Sequence, residues 1–356
     1  MTARRTMVIV STLFLVAALS VHLPALVPPK TQPQSQTIRL NVEMVSLPVV
    51  VTTAEGKRVL DLQKDDFQVL EDGVVQEITG FGVTDEPVSV AFALDTSGSL
   101  EGRLGDIQNE AIHFVNLLHP DDSVAIMSFA EDVQLLEDWS IDRDRNARGI
   151  KETRHGSCTK LIEAVWLALE EVLKPIQERK ALVLFTDGVD TASHKASKKE
   201  TVELAKETRA TIYPIYFTWR GLPTAGRPTV RPFPIPGSPP IMMPPTIPPT
   251  GGGGGCGAPS LNVFSTGRGY LNELAEYSGG RVFDAQQLQD LGPAFEEIAK
   301  ELSSQYSIGY YSTNKKRDGK FRRVEVKVKK AGLVARTKKG YYAPKEEKRK
   351  SVTATR

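Results

Sequence analysis

Hydrophobic positions change their period twice along the chain. Between residues 37 and 86 they alternate with polar ones: Ile38, Leu40 and Val42, then an apolar run over 47–52, then runs over 67–70 and 74–81. The last two flank Glu71-Asp72-Gly73, and Asp-Gly between apolar runs predicts a tight β-hairpin. From residue 87 the pattern becomes strand–helix alternation. Continuous apolar runs at 88–94, 181–186 and 212–217 predict strands buried on both faces, and 123–129 and 133–136 predict two more. Leu104, Ile107, Ala111, Phe114 and Leu118 recur at helical spacing, as do Leu161, Val165, Leu169 and Val172, and later Leu291, Phe295, Ile298 and Leu302. A polar helix is predicted around 198–208, another helix near 270–277, and a short strand at 281–283. After Gln305 period two returns, with Tyr306, Ile308 and Tyr310, then Val324, Val326 and Val328 set against Arg323, Glu325, Lys327 and Lys329.

The expected architecture is therefore α/β. A doubly wound, mostly parallel sheet flanked by helices occupies 87–303. A small accessory β unit is built from strands at both ends, 37–86 and 304–344, because neither set has enough apolar surface to stand alone. One segment breaks the alternation. Between Arg220 and Ser260 lie 12 of the chain's 23 prolines, followed by five glycines from Gly251 to Gly255. That composition favours extended, backbone-solvated chain, so residues 219–260 are expected to be a disordered insertion within the sheet domain. Gly255 is not followed by Lys-Ser or Lys-Thr, so no phosphate loop is predicted there.

The first residues change the picture of compartment. Arg4 and Arg5 precede an apolar run from Met7 to Leu19, with small residues at Ala18 and Ser20. This is a signal-peptide layout for 1–20. The alternative is an uncleaved anchor, since apolar character continues to Val27, but His22 and Pro24 interrupt it. Residues 21–36 read as a tether and 345–356 as a disordered tail. An extracytoplasmic protein is expected, periplasmic, secreted or held at the membrane by an uncleaved segment. The two cysteines, Cys158 and Cys256, admit a disulfide, which spacing alone leaves open. A net charge of +2 over 356 residues gives no electrostatic reason to expect a nucleic-acid partner. The acidic cluster Asp61, Asp65 and Asp66 lacks the spacing of a calcium loop. The basic row at 323–329 reads as a solvated edge strand.

Candidate chemistry gathers at strand ends. The run VSVAFAL stops at Asp95, with hydroxyls at Ser97 and Ser99. The run ALVLFT stops at Asp187 before Gly188. Thr159 lies in HGSCTKLIEAV, a loop entering a helix. Carboxylates and hydroxyls without Cys or His suit a hard divalent cation, and open α/β sheets place ligands at the carboxyl ends of their strands. Asp95-x-Ser97-x-Ser99, then Thr159, then Asp187-Gly188, resembles the metal-ion-dependent adhesion site of von Willebrand factor type A domains. The resemblance spans about residues 87–303 and implies that Asp95, Ser97, Ser99, Thr159 and Asp187 hold Mg2+ or Mn2+. It also implies that the ion, kept electrophilic by neutral hydroxyl ligands, takes a Glu or Asp carboxylate from a partner protein, as in cell adhesion. The layout further resembles bacterial exported proteins related to this domain. Cys158 beside the expected hydroxyl ligand departs from that pattern. Two other classes compete: an envelope scaffold with an idle metal site, and a metal-assisted hydrolase. Asp95-Thr96-Ser97-Gly98-Ser99 is not the Gly-x-Ser-x-Gly of a serine hydrolase. A His155–Cys158 pair has no third residue to orient it, and the histidines and cysteines lack zinc spacing. A non-enzymatic interaction module is the expectation.

Overall fold

The computed structural model describes residues 44–100, 102–217 and 261–345. The expected strand around Ile38, Leu40 and Val42, the signal segment, the tether, the proline-rich insertion and the tail from residue 346 lie outside the described residues.

The first four strands are β1 (Val45–Thr53), β2 (Phe67–Glu71), β3 (Val74–Gln76) and β4 (Ile78–Thr84). The β2–β3 turn is the predicted hairpin: Asp72 and Gly73 both have left-handed backbone, φ 49° and 82°, the geometry of a two-residue type I′ turn. The apolar run over 74–81, expected as one strand, is broken at Glu77. β3 stays beside β2, while β4 joins a different sheet.

The sheet domain follows as β5 (Val88–Asp95), α1 (Leu104–Leu117), β6 (Ser123–Phe129), β7 (Val133–Ser140), α2 (Arg143–Lys151), α3 (Leu161–Leu167), β8 (Arg179–Thr186), α4 (Lys198–Glu207), β9 (Thr211–Phe217), α5 (Leu261–Ser278), β10 (Phe283–Ala285) and α6 (Leu291–Ser303). A wide turn, Ala168–Val172, prolongs α3. The strand order is β10-β9-β8-β5-β6-β7, parallel throughout except that β7 lies antiparallel to β6. Alternate side chains of β5 serve opposite faces. Val90, Phe92 and Leu94 pack with α1 and α6 through Phe114 and Phe295. Ala91 and Ala93 face α3, α4 and α5. Both faces are buried, which is why the strand reads as one apolar run. Helix α2 carries no apolar stripe and was not foreseen, α5 begins nine residues before the expected start, and β10 lies two residues later than expected.

Four strands complete the chain: β11 (Gln305–Tyr310), β12 (Phe321–Val328), β13 (Leu333–Arg336) and β14 (Gly340–Tyr342). They interleave with the first four in two antiparallel sheets, β13-β1-β11-β4 and β14-β12-β2-β3. Leu47 lies opposite Ile308 and Val69 opposite Val326. Leu47, Val49, Phe67, Val69, Tyr306, Ile308 and Val326 form their shared core. The accessory unit is thus a β-sandwich made from both ends of the chain, as the apolar area of each end alone required. At one end of that core Glu71 is buried and accepts from Tyr310 Oη (2.9 Å) and Tyr341 Oη (2.8 Å), and pairs with buried Arg322 at 3.3 Å.

Candidate metal centre

The chain enters the sheet at β5, adds β6 on one side, and returns to add β8 on the other. The carboxyl ends of β5 and β8 therefore flank the point where strand order reverses, the place where such sheets open a crevice. The two strands are parallel neighbours with Leu94 opposite Phe185, so Asp95 and Asp187 leave the sheet at the same edge.

Asp95 is fully buried. Its Oδ1 accepts from the Ser97 amide (3.0 Å) and the Ser97 hydroxyl (2.5 Å), and its Oδ2 accepts from Thr186 Oγ1 (2.8 Å). Burial, and next the Asp187 carboxylate, push Asp95 up to about 7, and the groups that oppose this are the neutral donors Ser97 and Thr186. Asp187 is also buried, and its Oδ1 accepts from the Val189 amide at 3.0 Å. Between them Gly188 takes φ 76°, a left-handed conformation in which any other residue is strained. Its amide donates to Thr186 Oγ1 at 3.0 Å.

Thr159 lies on the loop before α3, which is tied to both carboxylate loops. The Gly156 amide donates to Thr96 O (2.9 Å). The Thr159 amide donates to Thr191 Oγ1 (2.9 Å), and Thr159 O accepts from the amides of Thr191 (2.9 Å) and Ala192 (3.1 Å). The Ser157 amide donates to the Glu131 carboxylate. The start of α3 is closed from the Asp187 loop: Asp190 accepts from the Ile162 amide (3.0 Å) and Ser193 Oγ from the Glu163 amide (3.1 Å). Buried Glu163 accepts in return from the amides of His194 (2.8 Å) and Lys195 (2.9 Å). Cys158 is held in a disulfide, so it offers no thiolate and the His155–Cys158 nucleophile has no basis. The chain's other cysteine, Cys256, lies outside the described residues. Ser99 falls in a single helical turn, Gly98–Leu100, and its side chain is likewise outside them.

Of the five residues expected from sequence, Asp95, Ser97 and Asp187 come together at one strand edge, and the Thr159 loop is bonded to both sides of it. The residues that sequence reasoning missed are those that tie the loops: Thr186, Thr191, Glu131, Asp190 and Glu163. A hydroxyl closing an otherwise apolar run was the available signal for Thr186. Among the described residues no three His, Cys, Asp or Glu side chains gather as a metal cluster. Two buried carboxylates that repel, surrounded by hydroxyls and offset by neutral donors, nevertheless fit a hard divalent cation, which would supply the missing positive charge.

Residues 90–189 match the family model for the von Willebrand factor type A domain. This stretch is a von Willebrand factor type A domain. The matched span contains Asp95, Ser97, Ser99, Thr159 and Asp187. No curated protein matches the chain. Among solved structures similar to this chain is "von Willebrand factor type A from Catenulispora acidiphila", 13% identical, covering 81% of this chain and 76% of that one, TM-score 0.45. The vWF domain of the type V pili tip protein Mfa5 from Porphyromonas gingivalis is 12% identical over 61% of this chain and 95% of its own, TM-score 0.42. Proximal thread matrix protein 1 from the mussel byssus, solved with a zinc-occupied MIDAS motif, is 16% identical over 64% of this chain, TM-score 0.43. The chain spans about half the length of the mussel structures, 49–51%.

Proposed function

We propose that this chain is an exported, metal-dependent protein-interaction module of adhesion type, and not an enzyme. The observation that carries this reading is the meeting of Asp95 and Asp187 at the strand-order reversal, with the Thr159 loop bonded to both. Asp95, Ser97, Ser99, Thr159 and Asp187 would hold Mg2+ or Mn2+. Bound there, the ion supplies an electrophilic position for a Glu or Asp carboxylate of a partner protein. The protein's own contribution is rigidity. Asp95 is oriented by three neutral donors, Asp187 by the Val189 amide, and Thr159 by a reciprocal pair of bonds with Thr191. Site residues fixed in this way need no reordering when a partner arrives.

The basic start and apolar run at the N-terminus support export, to the periplasm, the outside or the outer face of a membrane. No helix among the described residues is long and apolar enough to cross a membrane. Immobilised protein exposed to an extracytoplasmic extract with magnesium should retain a partner that chelator releases and that an Asp95→Ala column does not retain. Retention indifferent to both chelator and Asp95→Ala would mean an envelope scaffold with an idle site. Turnover that survives purification and is lost in Asp95→Ala would mean a hydrolase.

A further inference from the structure

Thr186 is the last residue of β8, fully buried at the end of a strand whose other core positions are apolar. A valine would fill the same volume, so the hydroxyl needs a reason. That reason is visible in its two bonds. Oγ1 donates its single hydrogen to Asp95 Oδ2 at 2.8 Å and accepts from the Gly188 amide at 3.0 Å. One hydroxyl therefore touches the carboxylate that ends β5 and the left-handed turn that follows Asp187. The donor direction is fixed by chemistry: an amide N–H can only donate, so the hydroxyl hydrogen is left for the carboxylate.

That hydroxyl gives the two loops a direct link through a single side chain. Asp95 belongs to one strand and the Asp187-Gly188 turn to its neighbour, and the sheet ladder pairs their backbones only as far as Leu94 opposite Phe185. Beyond that pair Thr186 carries the register onward into the site. It also leaves Asp95 Oδ1 to Ser97 and takes Oδ2, which fixes the plane of the carboxylate. We infer that Thr186 is a positioning residue: through one hydroxyl it sets the orientation of the Asp95 carboxylate and the turn that presents Asp187, and so the spacing of the two acids. The inference rests on the proposed metal centre for its consequence, and on the hydrogen bonds alone for its structural content.

The test uses the purified exported chain, with Thr186→Val as the isosteric removal of the hydroxyl and Thr186→Ser as its retention. In chelator, hydrogen exchange of the Gly188 amide reads the bond directly. It should accelerate in Thr186→Val and stay protected in Thr186→Ser, and equal protection in wild type and Thr186→Val would overturn the positioning claim. Titration with MnCl2 reads the consequence. Loss of a group that orients a metal-ligating carboxylate typically weakens binding roughly 10–100-fold, so that loss is expected in Thr186→Val and recovery in Thr186→Ser. Unchanged manganese affinity in Thr186→Val would overturn the link to the centre. Should Thr186→Val not fold, Thr186→Ala compared with Thr186→Ser isolates the same hydroxyl. A wild-type protein that binds no manganese would refute the metal-centre reading, while amide exchange would still decide the role of Thr186.

Discussion

Asp95 has no exposure to solvent, is bonded to three neutral donors and faces a second buried carboxylate. An acid raised in the folded state to about 7 from an ordinary value near 3.8 costs nothing below the lower value. The cost grows as pH climbs through the window and is constant above it, because the unfolded chain ionises first. In chelator, the melting temperature of the wild type should therefore fall between about pH 4 and pH 7, relative to Asp95→Asn, whose side chain does not ionise. Parallel melting profiles for the two proteins across that range would show that Asp95 is not forced to ionise against burial. A second buried charge has the opposite logic. Glu71 is matched by Arg322 and two tyrosine hydroxyls, so removing it leaves a buried guanidinium with only neutral partners, Ser312 Oγ and the carbonyls of Asn314 and Lys316. Glu71→Ala should lower unfolding free energy by about 3–5 kcal/mol, and Glu71→Ala with Arg322→Met should recover much of it. Urea titration of the three proteins measures both.

Elements meet where side chains are absent as well as where they are large. Gly267 on α5 approaches the Asp187 loop so closely that a Cβ there would lie 2.1 Å from Gly188 O. Backbone cannot yield as a flexible side chain does, so Gly267→Ala should destabilise the protein by about 1–3 kcal/mol, seen as a lower urea midpoint at unchanged slope. Helix α2 shows why one element escaped sequence reasoning. Its buried residues are Asn146, Gly149 and Ile150, and a Cβ on Gly149 would come within 2.8 Å of Glu137 Cβ. A helix that packs through a glycine and an asparagine leaves no apolar stripe to read. Its one signal is Asp142, whose carboxylate caps the first turn by accepting from Asp144 N and Arg145 N. The helices α1, α3 and α6 were legible because they bury Ile107, Phe114, Leu161, Val165, Phe295 and Ile298 at regular spacing. The break between β3 and β4 was not, since period two continues through Glu77 while the chain changes sheets.

For the whole molecule, the sandwich joins the two ends of the described chain. β1 has β11 and β13 as its neighbours, and β2 has β12 and β3. Removing residues 305–356 should therefore strip β1 of both partners and abolish hydrogen-exchange protection across Val45–Thr53, and retained protection there would show that the first strands fold alone. The sandwich also closes the end of α6: the Arg58 guanidinium donates to Lys300 O and Ser304 O, and Arg336 to buried Glu301. The candidate site divides in the same way between what sequence carries and what only the fold creates. Asp95, Ser97, Thr159 and Asp187 were legible from residue type, order and strand-end context. Thr191 and Glu131 were not, because each acts by a hydrogen bond to a loop far away in sequence, and Thr186 left only a hydroxyl closing an apolar run. The claim on which the functional account depends is that these loops together bind a divalent cation. Isothermal titration of chelator-stripped protein with MgCl2 and with MnCl2 measures it most directly. The account predicts saturable binding of one ion per chain, lost in Asp95→Ala. No heat of binding with either ion in the wild type, at concentrations up to those of an extracytoplasmic medium, would contradict it.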